Sequence, residues 1–185
     1  MKIKEKRAME IARILNNKED CGRQGRAFEL SCARDGSRKT RVSKQGVADV
    51  SVKVLRNGKA VYLPAECKTN SGRIETLLNG SNKSDFVIYR LEFNQKHKAS
   101  KSRPEWVEPR IVPAVIIPTA LFVAMVLDCK AYKTASHNQV EDGIQIQPSN
   151  KKMYLRLTAY AENYPDMVFS PEKTYEDWQF EGLEL

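Results

Sequence analysis

The chain has 185 residues, 41% of them hydrophobic and 29% charged, and a formal net charge of +8. That length suits a single domain, 1–185, with a real hydrophobic core. Its longest apolar run, 111–127, is interrupted by Pro113 and Pro118 and is too short to cross a bilayer, so no membrane partner is expected.

The charge is unevenly spread. Residues 162–185 hold seven acidic groups against the single base Lys173, a net of −6, which leaves +14 on the first 161 residues. A body that basic favours a polyanionic partner, because nucleic acid releases counterions when cations replace them. Cys21, Cys32, Cys67 and Cys129 show no zinc-type spacing. With a charged N-terminus and no signal peptide, they read as thiols of a cytoplasmic protein.

In chain order, residues 2–17 carry the apolar stripe of an amphipathic helix, and 23–34 read as a second helix containing Glu29. A basic segment, Arg34 to Arg41, precedes a strand over 47–55, and a short strand is expected from Thr40. Asn57-Gly58 is a strong two-residue hairpin signal, so a partner strand runs over 60–68. A loop at 69–72, a short helix at 73–78 and a strand at 84–93 follow. A basic loop then spans 94–103, with a strand at 111–117 and a helix from Pro118 to about Tyr132. Residues 144–147 and 153–157 alternate like late strands, and the remainder reads as irregular with one short helix. Glycine-rich phosphate loops of the GxxxxGK[ST] and GxGxxG types are absent, which argues against an NTPase or a dinucleotide enzyme.

A two-residue turn pairs Arg56 with Lys59 and so sets Asp49 opposite Glu66. Side chains alternate along a strand, which places Lys68 on the same face. The other face holds Val50, Val52, Val54, Val61, Leu63, Ala65 and Cys67, all apolar, and their burial resists register slippage. Two carboxylates directly across a ladder repel by up to about 1 kcal/mol unless a cation lies between them. Lys68 supplies part of that cation. Mg²⁺, which takes one or two carboxylates plus water and phosphate oxygens, suits the rest. The competing structural reading is a salt-bridge cluster on a solvated strand.

The Asp49…Glu66-Cys67-Lys68 pattern, in this order of elements, resembles the PD-(D/E)XK nuclease superfamily over residues 22–93, with Ala48 where the motif has proline. The resemblance implies an α/β, restriction-endonuclease-like three-layer sandwich, a mixed central sheet flanked by helices, with its core over about 22–132. It implies a Mg²⁺-dependent endodeoxyribonuclease, Mn²⁺ being able to substitute. In that family's pattern Asp49 and Glu66 hold the metal, the Cys67 backbone carbonyl adds an oxygen, and Glu29 serves a second metal or its hydration shell. Lys68 assists the attacking water or the developing charge.

Candidates for the nucleic-acid interface are Arg38, Lys39, Arg41 and Lys44 before the Asp49 strand, and Thr69, Asn70 and Arg73 just after the motif. Lys96, Lys98, Lys101 and Arg103 of the basic loop complete the set. His97 and His137 lack nearby partners in sequence and are not assigned to catalysis. Tyr62, Trp106 and Trp178 are read as packing residues. DNA is the expected partner, and a homodimer would let a one-site enzyme cut both strands. The alternative is a non-catalytic nucleic-acid-binding accessory protein on the same fold.

Overall fold

A computed structural model describes residues 3–19, 22–33, 48–70, 74–79, 83–134 and 144–184. Its first two helices are α1 (Ile3–Asn16) and α2 (Arg23–Cys32). Arg7 ties them together by donating to the Ala33 carbonyl at 2.7 Å. The hairpin follows as β1 (Val50–Arg56) and β2 (Lys59–Thr69). Asn57 and Gly58 both have positive φ, 52° and 74°, the signature of a type I′ turn whose twist matches the strands it joins. The register runs without a bulge from Arg56↔Lys59 to Val50↔Ala65, as the turn predicts. Val50, Val52, Val54, Ala65 and Cys67 are all buried.

Beyond the hairpin come α3 (Ile74–Leu78), β3 (Phe86–His97), β4 (Trp106–Pro118) and α4 (Thr119–Asp128). The mixed sheet has the order β4-β3-β2-β1-β7, where β7 is Tyr175–Glu176. β2 and β3 are parallel, as are β1 and β7, while β1/β2 and β3/β4 are antiparallel. β5 (Lys130–Thr134) and β6 (Ile144–Pro148) form a separate antiparallel pair. Buried Cys32 of α2 lies beside buried Cys67 of β2, so α2 covers the Cys67 face of the sheet. The opposite face meets α4 through a Tyr89–Phe122 ring contact at 5.3 Å. It meets α5 (Asn150–Asn163) through Phe93 and Tyr154 at 6.1 Å. The α/β expectation with a mixed, helix-flanked sheet holds. No helix among the described residues is long and apolar enough to cross a membrane.

Four expectations are corrected. Residues 153–157 are helix rather than strand. Ser149 caps α5 by accepting from the Lys152 amide, and Met153, Leu157 and Tyr160 bury one helical stripe while Leu155 stays 57% exposed. The period-two pattern of Met153, Leu155 and Leu157 was coincidental. Residues 94–97 belong to β3 rather than to a loop, because β4 pairs with them as far as His97↔Trp106. The acidic C-terminal segment is not irregular: β7 adds a strand to β1, Asp177 N–H donates to the Leu55 carbonyl, and Phe180 packs on Phe86 at 4.3 Å. Tyr62 and Trp178, 44% and 67% exposed, are not core packing residues, whereas Trp106, 41% exposed, packs its ring on His97.

β4 carries a bulge in which Pro113 and Ala114 oppose Arg90 alone, since Tyr89 faces Val115 and Leu91 faces Val112. Proline has no N–H to lose there, which is why the strand tolerates it. Cys32, Cys67 and Cys129 are free, buried thiols. The basic segment 34–47, including Arg38, Lys39, Arg41, Lys44 and the strand expected from Thr40, lies outside the described residues. So do Cys21, Arg73 and His137.

Candidate active site

The β1–β2 ladder ends at Val50↔Ala65, one pair before Asp49 would face Glu66. Asp49 sits just outside β1 and turns its carboxylate across the hairpin, where Oδ2 accepts the Cys67 amide at 2.9 Å. The expected direct opposition of Asp49 and Glu66 is thereby replaced by a bond to the neighbouring backbone. This satisfies an N–H that β1 no longer reaches. A residue's N–H and C=O leave a strand on the same side. The Cys67 carbonyl therefore points past the end of β1 as well, towards Asp49.

Glu66 and Lys68 project to the other side of β2 from Cys67, and their side chains are only 14% and 17% exposed. Lys68 Nζ lies 3.0 Å from Glu66 Oε1. Burial raises the Glu66 pKa; Lys68 opposes that shift, Asp49 adds to it and Lys83 opposes it. Glu29 stands on α2 and belongs to the same electrostatic group. Burial, then the charges of Asp49 and Glu66, push its carboxyl up to about 7, against the pull of Lys68 and Arg26. The structure thus places Asp49, Glu66 and Lys68 at the end of the hairpin, where the sheet is open beyond β1, with Glu29 on α2 within electrostatic reach of all three. Among the described residues no three His, Cys, Asp or Glu side chains stand close enough to ligate one ion.

Sequence reasoning missed two cations. Arg26 lies three residues before Glu29 on α2, a spacing that puts both on one helix face. Lys83 precedes β3, and β3 runs parallel to β2 beside Glu66, so only the sheet order brings it near.

Thr69 and Asn70 continue from the motif into a groove of about 260 Å³. It lies between the first two helices and the ends of β2 and β3, lined also by Gln24, Ser31, Arg90 and Glu92. This cavity is on the Cys67 side of the sheet and does not enclose Glu66 or Lys68. Asn70, at φ 56°, stitches β2 to β3. Its amide donates to the Arg90 carbonyl, its Oδ1 accepts the Glu92 amide, and its carbonyl accepts the Tyr89 hydroxyl. Asn70 is therefore a structural splice beside the site. Lys96, Lys98, Lys101 and Arg103 are exposed and lie farther along β3 and its turn, away from the carboxylates.

The chain matches no protein-family model, no curated protein and no solved structure.

Proposed function

We propose that this chain is a metal-dependent nuclease that hydrolyses phosphodiester bonds in DNA, built on the PD-(D/E)XK plan. The observation that carries this reading is the meeting of Asp49, Glu66 and Lys68 at the open end of the hairpin, with Lys68 Nζ 3.0 Å from Glu66 and Asp49 Oδ2 on the Cys67 amide. Burial is the first cause that raises the Glu29 and Glu66 pKa values, and a bound divalent cation would favour their charged forms again. An all-oxygen donor set fits Mg²⁺, which needs only one or two carboxylates beside water and phosphate. The order α2, β1, β2, α3, β3 with β2 and β3 parallel also supports the restriction-endonuclease-like arrangement.

Asp49 and Glu66 would hold Mg²⁺ or Mn²⁺, with the Cys67 carbonyl beside them and Glu29 facing a second ion or its hydration shell. The bound ion would supply polarisation of the phosphate and a more acidic water. The Cys67 amide fixes the Asp49 carboxylate before any ligand arrives. Lys68 is held at the site by Glu66, ready to stabilise charge growing on a phosphate oxygen or to orient the attacking water. Glu29 can hold or release a proton near neutral pH.

Incubating the purified protein with supercoiled, linear and branched DNA, with Mg²⁺, with Mn²⁺ and with chelator, tests the reading. Metal-dependent nicking that disappears in Asp49→Ala and Lys68→Ala is expected. Cleavage that survives in both variants would sink the site assignment. A second reading is favoured by the Lys68–Glu66 ion pair, which already neutralises one carboxylate. In it the protein binds nucleic acid without cutting, and salt-sensitive binding with no metal-dependent cleavage would establish it.

A further inference from the structure

Only Phe86 to Arg90 of β3 pair with β2 in the sheet. From Leu91 onward β3 pairs with β4 alone, through His97↔Trp106, and the same register reappears at Ser100↔Arg103. The two strands therefore leave the sheet as one ribbon ending in a turn at Lys101-Ser102. The ten steps from Leu91 to Lys101 span about 33 Å at the usual rise per residue.

The ribbon is braced along one face. His97 stacks on Trp106 at 4.0 Å and 5°, and its Nε2 lies 3.1 Å from Glu108. Arg110 donates to Glu108 at 2.8 Å and to Gln95 at 3.3 Å, and lies over the Tyr154 ring of α5. At the tip, Ser100 and Arg103 exchange backbone hydrogen bonds. Those braces occupy the face of Phe93, Gln95 and His97. Lys96 is on the opposite, exposed face, and Lys98 continues the alternation. Lys96, Lys98, Lys101 and Arg103 take no part in the ribbon's ion pairs, His97–Glu108 and Arg110–Glu108. Among the described residues 98–106 of the tip, Glu105 is the one carboxylate.

We propose that this ribbon is a duplex-DNA arm. It lies in the major groove to one side of the candidate active site and holds phosphates about one helical turn from the bond to be cut. The proposal rests on the nuclease reading only for where that bond lies. The major groove of B-DNA, about 12 Å wide, admits a two-stranded ribbon. The deep, narrow major groove of A-form RNA does not, and a single strand offers no groove. The length of the ribbon matches one turn of B-DNA, about 34 Å.

The test is equilibrium binding in Ca²⁺, by fluorescence anisotropy, to a DNA duplex of about three turns, a duplex RNA of equal length and a single strand. The variant replaces Lys96, Lys98, Lys101 and Arg103 with Ala, and its fold is checked by thermal melting. Expected is a loss of about tenfold or more on duplex DNA, with a salt slope shallower by about 3. The other two ligands should weaken by less than about threefold. An equal loss on all three, or none on duplex DNA, overturns the proposal. If the variant does not fold, hydroxyl-radical footprinting of the unaltered protein decides. Protection reaching about one turn to one side of the site supports the arm, and protection confined to the site overturns it. Binding is read without cleavage, so a chain that never cuts DNA can still pass. One that cuts DNA while the arm variant binds duplex unchanged fails.

Discussion

The two ends of the β1–β2 hairpin carry charged groups in opposite circumstances. At the turn end, Arg56 meets Asp177 through two hydrogen bonds, 2.7 and 3.2 Å, at the protein surface. The pairing lowers the Asp177 pKa and raises that of Arg56, each group being satisfied by the other. At the open end, burial leads the causes and both Glu66 and Glu29 are pushed the other way. One end is a neutralised surface pair that water could replace. The other is a half-buried group of carboxylates whose charged forms are disfavoured first by burial, beside Lys68, Arg26 and Lys83, and half-burying charges in this way costs stability.

Four measurements break or sharpen that contrast. The largest effect is expected at the open end: Asp49→Ala or Lys68→Ala should cut the rate of DNA cleavage by about 100-fold or more. Duplex binding measured in Ca²⁺ should be retained. A loss of binding equal to the loss of rate would make the site structural.

At the turn end the sensitive feature is backbone, not charge. Gly58 has φ 74° and open space around it, so Gly58→Ala meets no clash but is forced into the left-handed region. It should cost about 1 kcal/mol in urea unfolding. An unchanged midpoint would mean that the turn is not type I′.

The third measurement is pH dependence. The Glu29 pKa rises from 4.5 to about 7 on folding, so the folded state binds the proton more tightly. That favours folding fully below about pH 4.5, and the advantage is lost as pH rises through 7. Glu29→Gln should therefore melt higher than the parent above pH 7, with the difference shrinking towards pH 4.5. Saturating Mg²⁺ should raise the parent's melting temperature more than the variant's above pH 7. A difference that grows on acidification would contradict the shared carboxylate environment.

The smallest effect belongs to the surface pair. Asp177→Asn should leave the melting temperature nearly unchanged in 0.15 M salt, because both partners are solvated. A large drop would show that the pair, rather than Tyr175 and Phe180, holds the C-terminal segment on the sheet.

Much of the hairpin was legible because its determinants are local. Asn57-Gly58 sets the turn, the turn sets the register, and alternation then sorts Val50, Val52 and Val54 from Ser51 and Lys53. The helices α1 and α2 were legible from their apolar periodicity and the start of α4 from Pro118, but α4 stops at Asp128 and the residues expected to continue it to Tyr132 enter β5 instead. Residues 153–157 misled because three apolar residues at period two also fit the outer and inner positions of a helix. The Ser149 cap was the overlooked signal. The β3–β4 ribbon was hidden by its polar composition, since nothing in Asn94 to His97 shows the hydrophobic alternation by which strands are recognised.

The sequence by itself determined the register that draws Asp49, Glu66 and Lys68 to one end of a hairpin, because turn geometry and side-chain alternation act within about twenty residues. Only the tertiary structure decided which other charges reach that end. Packing of α2 on Cys67 brings Glu29 and Arg26, and the parallel placement of β3 brings Lys83. It also decided that the acidic C-terminal segment completes the sheet beside β1. These are contacts between residues far apart in the chain, selected by burial of apolar surface and pairing of backbone groups, and no local pattern records them.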